Sequence, residues 1–386
     1  MPNTSQDKNA IQDPFFNKTR LIILAIVLLA AMGFLIAVMI TIPRRGSEAE
    51  LENSDNKLAN AVKDLEANLA RHAHPLGSSI LYISAEELVC EDFQGKQIFA
   101  YPLSMQHPVV QHIGKYAICG DRLGKQVLLL DERGKVFETQ LDYSFVTADI
   151  SKDGNCLFID QQAEENAKVH LTDAEGKRIL SLSFAKSGHP VAAKFTPDGK
   201  FMDILLINTR SAQLKALLRR YDLQGALSGQ KVTEGYNSFF YALEHDAQNK
   251  AIIYSPTQIL KMDFSQEEPL LQREFSSIQY AICYDADILL LGNSQNDAYY
   301  ALYKIDKQGE ITELLPQIGV VEHLRKSRDG QEFYFCQNNL FYTYDLKNNE
   351  LRGPLALDGE ILSYHVLENG NVNLLTQNGA RIFSKP

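Results

Sequence analysis

Downstream of Ile80 the hydrophobic positions come in short runs rich in Val, Ile and Leu, broken at intervals by Asp, Gly, Asn and Lys. The clearest case is Val127–Leu141, VLLLDERGKVFETQL. An apolar run leads into Asp131-Glu-Arg-Gly134, and a second strand-like run follows. Gly134 can take a positive φ without steric cost and Asp131 can accept from its own backbone two residues on, so the stretch predicts a tight β-hairpin. The same pattern recurs in LVCEDFQGKQIFAY (88–101), VHLTDAEGKRILSL (169–182), LLRRYDLQGALSGQ (217–230), ILKMDFSQEEPLLQ (259–272), ALYKIDKQGEITEL (301–314), FYTYDLKNNELRGP (341–354) and NLLTQNGARIFS (373–384). Glu267 and Asn349 stand where the other units have their turn glycine.

Between these hairpins lies a second kind of turn: Ser151-Lys-Asp-Gly154, Thr196-Pro-Asp-Gly199, Ser327-Arg-Asp-Gly330 and, more weakly, Glu368-Asn-Gly370. Two turn classes alternating at a period of about 40 residues predict four strands per repeat, the pattern of a propeller blade. One blade cannot bury both faces, whereas a closed ring can, and closure also protects the sheet edges. The expected fold is therefore an all-β propeller of four-stranded antiparallel blades over residues 80–386. Units 80–101 and 360–384 each offer three strands, so the count stays open between seven and eight blades. A strand from the C-terminal end is expected to complete the sheet begun near Ile80.

Upstream the pattern changes. Residues 1–20 form a short polar tail, and Leu21–Ile42 carries no charged residue. A helix of that length spans roughly 33 Å, enough for a bilayer core of about 30 Å. It ends in Thr41-Ile-Pro-Arg-Arg45 rather than a small-residue cleavage site, which favours an uncleaved transmembrane anchor over a signal peptide. Lys8, Lys18 and Arg20 before the span balance Arg44, Arg45 and Lys57 after it, so flanking charge leaves the orientation open. Residues 43–79 are expected to be a helical stalk and linker. Leu51, Leu58, Val62, Leu65 and Leu69 share one helical face, either as a solitary helix or spacer or as a short coiled coil pairing two chains.

A net charge of −10 with no basic cluster makes nucleic acid a poor partner, because phosphates need Lys and Arg. The five cysteines (90, 119, 156, 283, 336) are far apart inside strand-like runs, so buried apolar roles are expected rather than a disulfide framework, with a lean towards a reducing interior. GxSxG, HExxH, GxxxxGK[ST] and the EF-hand loop pattern are absent. His72-Ala-His74 offers only two ligands in a polar linker and is expected to be solvated. Histidines 107, 112, 170, 189, 245, 323 and 365 are scattered and expected on loops or the surface, the alternative being a metal cluster where blades converge. Asp153, Asp198 and Asp329 are expected to be used up in turn bonds rather than to cage calcium. The aromatic runs Phe239–Tyr241, Tyr299-Tyr300 and Phe333–Phe335 suggest inter-blade packing first and a sugar or peptide groove second. No catalytic, cofactor-binding or metal site is assigned.

The two turn classes make the chain resemble the β-propeller superfamily that includes WD-repeat, quinoprotein-like and TolB-like proteins. A single anchor followed by LVCEDFQGKQIFAY and VLLLDERGKVFETQ is similar to an uncharacterised bacterial family of membrane-anchored propellers. The chain contains no Trp, so the Trp-bearing repeats and the cofactor-stacking Trp of quinoprotein dehydrogenases are missing, and no cofactor is expected. The resemblance implies a propeller held on the outer side of the cell membrane, with the tail inside. The resemblance says nothing of activity; a rigid ring on a tether with no recognisable catalytic constellation is expected to serve as a binding or scaffolding module for a protein, peptide or cell-envelope partner, and as a homodimer if the stalk pairs. The alternative is an envelope lyase or hydrolase with a carboxylate and histidine site at the propeller mouth.

Overall fold

The computed structural model describes residues 59–386 apart from 85, 163–165, 185–187, 209–214, 234–237, 295–298, 328–330, 368 and 385–386. The tail, the apolar span Leu21–Ile42 and residues 43–58 of the expected stalk lie outside the described residues. Among the described residues no helix is long and apolar enough to cross a membrane.

Eight four-stranded antiparallel sheets make eight blades. First strands of neighbouring blades touch one another around most of the ring, so these strands are innermost and line a central channel. They are Ala73–Leu76, Pro108–Ile113, Ser144–Ile150, His189–Phe195, Ala242–His245, Ser277–Tyr284, Glu322–Lys326 and Ile361–Val366, in blades 1 to 8. Because each blade is an antiparallel meander, every innermost strand runs from one face to the other. The turns joining first to second and third to fourth strands lie on one face, here the turn face. The remaining connections lie on the opposite loop face.

Both predicted turn classes fall where their chemistry requires. In the third hairpin turn of blade 1, Asp92 Oδ1 accepts the amides of Gln94 and Lys96, and Gly95 closes the loop at φ +80°. Asp173, Asp222 and Asp306 repeat the bond pattern to residues two and four further on. In the tighter turn of blade 2, Asp131 Oδ1 accepts the Arg133 amide at 2.8 Å. The Ser/Thr turns join first to second strands, with the Ser151, Thr196 and Ser327 hydroxyls accepting the amides of Asn155, Phe201 and Glu332. Asp198 is used as expected, accepting from Thr196 Oγ1 and the Lys200 amide. In the Ser151 copy it is the serine hydroxyl that holds the turn, and Asp329 lies outside the described residues.

Side chains alternate between the two faces of each blade and fill the gaps between blades, giving eight apolar clusters for eight interfaces. Between blades 3 and 4, for example, Leu157, Ile159, Val169 and Leu171 pack on Met202, Ile204 and Leu206. The Phe333–Phe335 run is core, exposed by no more than 3%.

Closure corrects the sequence-based expectation in two ways. Ala59–Asp64, expected within the stalk helix, is a β-strand. It is the fourth strand of blade 8, pairing antiparallel with Gly379–Phe383. The N-terminal segment thus completes the C-terminal sheet, the reverse of the expected direction, and Ala73–Leu76 adds the missing first strand of blade 1. The only helix described there is one turn, Ala67–Ala70. Leu65 and Leu69, spaced for a helical face, are used to cover the seam cluster of Ala73, Ile80, Tyr82, Leu375 and Ile382. An open sheet edge plus an apolar seam outweighs local helical propensity.

At the seam Gly379 adopts φ +150°, and a Cβ there would lie 2.4 Å from the Lys63 carbonyl oxygen. Gly379→Val should therefore cost roughly 2 kcal/mol or more. Thermal unfolding should show a clearly lowered Tm; an unchanged one would refute the described closure.

Candidate functional site at the turn-face end of the channel

The penultimate residue of the innermost strand is ionisable in seven blades: His112, Asp149, Lys194, Glu244, Cys283, Arg325 and His365, in blades 2 to 8. Blade 1, whose innermost strand is short, presents His74 one residue earlier. These positions form one level of the ring, just before the first turn of each blade.

The ring divides into two arcs. Across blades 3 to 5 the groups are charged and paired. Lys194 Nζ lies 2.7 Å from Glu244 Oε1, with 34% and 33% of the side chains accessible, as befits groups facing a channel. Asp149 Oδ2 accepts the Phe195 amide at 2.9 Å. Burial raises the Asp149 carboxyl above its ordinary range, outweighing Lys194 and that amide. Burial also works against the Lys194 charge, but the neighbouring Glu244 and Asp149 carboxylates more than offset it and hold the ammonium above the usual lysine value. Cys283 is the exception at this level. Its thiol packs into the cluster between blades 5 and 6, and burial raises its pKa.

Blades 7, 8, 1 and 2 carry the other arc. The ring of His74 sits 5.6 Å from that of His112, which sits 6.2 Å from that of His365. Burial, followed by the nearby His72, lowers His74 to about 4. Burial and then Arg325 lower His365 to about 4. His112 falls well below its ordinary value through burial, with His74, Arg325 and His365 adding to the effect. Both His112 nitrogens are buried with no hydrogen-bond partner. Arg325 lies over the Tyr364 ring at 5.5 Å. The Tyr364 hydroxyl is itself committed, donating to the carbonyls of Tyr334 and His323.

Histidines expected on loops or the surface are thus mostly internal. His107 is exposed and His189 and His323 are half-buried, but His74, His112 and His365 converge. Of the His72/His74 pair, only His72 is exposed. His245 Nε2 meets Asp203 Oδ2 at 2.8 Å beside Arg220. Likewise His170 links Asp160 Oδ2 (2.8 Å) to Ser181 Oγ (2.7 Å). That Ser–His–Asp chain runs across three adjacent strands of blade 3, and Asp160 also accepts the amides of Asp142 and Tyr143, so it ties the blade to the loop before it. No set of three His, Cys, Asp or Glu among the described residues is arranged to hold a metal ion.

The loop face carries a different surface. Phe239 (46% exposed) and Tyr241 (37%) precede the innermost strand of blade 5, and Tyr299 (60%) precedes the third strand of blade 6. Val320 (64%) lies on the connection into blade 7. Phe240, in contrast, is fully buried. The first two aromatic runs therefore turn one ring inward and others out, which pure inter-blade packing did not predict.

A profile of a family of unknown function, DUF5711, matches residues 53–379. No curated protein sequence matches the chain. Among solved structures it is similar to the Dos1 propeller (TM-score 0.57, 12% identity, 84% of this chain and 95% of that one). Sqt1 of Chaetomium thermophilum is similar too (0.58, 12%, 84% and 97%), as is the Pan2 WD40 domain of Neurospora crassa (0.50, 13%, 72% and 88%). At these identities the likeness concerns the fold.

Imidazoles held below 6.5 in the fold accept protons more readily once the chain unfolds. The stability they contribute is complete above pH 6.5 and is lost as pH falls from there towards about 4. Tm should decline through that window, and H74Q/H365Q should flatten the decline. A slope unaffected by the double substitution would refute this.

Proposed function

The chain belongs to the DUF5711 family, and from that membership and the closed eight-bladed ring we propose that it is a membrane-anchored binding module whose loop face engages a protein, peptide or cell-envelope partner. The observation that carries this reading is the set of exposed rings, Phe239, Tyr241 and Tyr299, on loops of one face. Aromatic side chains bring large contact area at low entropic cost and dominate interface energetics. The apolar span Leu21–Ile42 supports the anchor, and the proposed placement is extracytoplasmic.

A second reading, an envelope lyase or hydrolase, is favoured by one observation: Asp149, with its raised pKa, sits beside the Lys194–Glu244 pair in the channel. Perturbed carboxyls of that kind accompany acid–base chemistry. Turnover abolished by Asp149→Asn, with Tm unchanged, would favour it over the binding module.

Two measurements test the first reading. Crosslinking on intact cells should recover a partner with the wild-type chain, and F239S/Y299S should reduce recovery by about tenfold without lowering Tm. Equal recovery from both overturns it. For placement, all five native cysteines are buried, so a membrane-impermeant maleimide should label only a cysteine introduced at the exposed Leu123 (59%). Labelling of Leu123→Cys in intact cells is expected; labelling only after lysis would put the propeller inside.

A further inference from the structure

We infer that the arc of blades 7, 8, 1 and 2 at the turn-face end of the channel is a binding site for a small oxyanion, with the Arg325 guanidinium as its fixed charge and His74, His112 and His365 as proton-linked donors.

Charge bookkeeping around Arg325 leads there. Among the described residues no carboxylate and no hydrogen-bond acceptor engages its guanidinium; the Tyr364 face is its contact. The two acids of the ring level lie on the other arc and are occupied, Glu244 by Lys194 and Asp149 by the Phe195 amide. Other titratable groups facing this arc are Glu322 and His323 on the strand of Arg325, Tyr280, Tyr334, Tyr364 and Cys336 on flanking strands, and His72 near His74. Glu322 is the one carboxylate of that set, and it acts on His323 and Cys336. Asn373 stands opposite His365 in register, but its amide is donated to the Gly77 and Ser79 carbonyls.

A half-buried cation paired with no carboxylate, on the same arc as an imidazole whose two buried nitrogens are both unmatched, is costly unless something completes it. An oxyanion supplies what is missing. Guanidinium forks match phosphate or carboxylate oxygens in two parallel bonds. Each neutral imidazole adds one N–H, and a bound anion favours its protonated form. The spacing of the imidazole rings resembles that around a shared zinc ion, but the fixed Arg325 charge disfavours a dication, and among the described residues no three ligands are arranged for one. This site is on the face opposite the exposed rings, so its failure and that of the loop-face reading are separable.

The test titrates inorganic phosphate into the full chain in detergent, by calorimetry in two buffers of different ionisation enthalpy. Saturable binding is expected, several-fold tighter at about pH 6 than at about pH 7.5, with net proton uptake. Arg325→Gln should weaken it at least ~10-fold and leave Tm unchanged or raised, while Arg133→Gln, an exposed control, should bind as wild type. His112→Gln should reduce the proton uptake. Absence of saturable binding at both pH values, or full affinity in Arg325→Gln, overturns the inference. So does stoichiometric zinc binding that phosphate does not affect.

Discussion

A blade of four twisted strands has two apolar faces and cannot bury either alone. Every other feature of this molecule depends on the resulting requirement that each blade be flanked on both sides. Seven of the eight interfaces follow from chain continuity, since consecutive blades are adjacent. The eighth, between blades 8 and 1, exists because Ala59–Asp64 pairs with Gly379–Phe383 and Ala73, Ile80 and Tyr82 pack on Leu375, Ala380 and Ile382. That pairing also removes the unpaired edge that blade 8 would otherwise offer to another chain.

A rigid ring separates its two ends chemically. The turn face is built from short Asp-, Ser- and Gly-governed turns that leave little room for variation, and just inside it lies the level of ionisable groups. The loop face carries longer connections and the outward-facing rings. This division allows two kinds of contact without interference: a broad surface for a macromolecule at one end and a narrow polar recess at the other. The recess is itself asymmetric. Lys194 and Glu244 pair within their arc, whereas the other arc gathers the Arg325 guanidinium, paired with no carboxylate among the described residues, and three imidazoles whose pKa values burial lowers.

The periodic parts of the fold were legible because a local code writes them. Asp92, Asp173, Asp222 and Asp306 each fold their own turn, and a glycine three residues on supplies the positive φ, so no tertiary information is needed. The seam was not legible. Ala59–Asp64 has small and polar residues with no alternation, and the spacing of Leu58, Val62, Leu65 and Leu69 fits a helix; what makes it a strand is an edge supplied by the far end of the chain. The channel level was missed for another reason. Its members are His in three blades and Asp, Lys, Glu, Cys and Arg in the other five, so no single residue type marks the level. The available signal was positional: Asp149-Ile before Ser151, Lys194-Phe before Thr196 and Arg325-Lys before Ser327 each place an ionisable residue two before the first turn. His112 and His365, read individually, carried no sign that they meet.

The seam joins two segments that the ribosome makes on either side of seven whole blades. Asp64 faces Gly379 across the ladder, so the seam segment emerges before every blade and waits, unpaired, until the third strand of blade 8 has been synthesised. Seven blades can stack in order as they appear, but the final interface closes only once Gly379–Phe383 has emerged, by a contact of very high sequence separation. A nascent chain stalled before blade 8 therefore exposes apolar surface at both of its open ends.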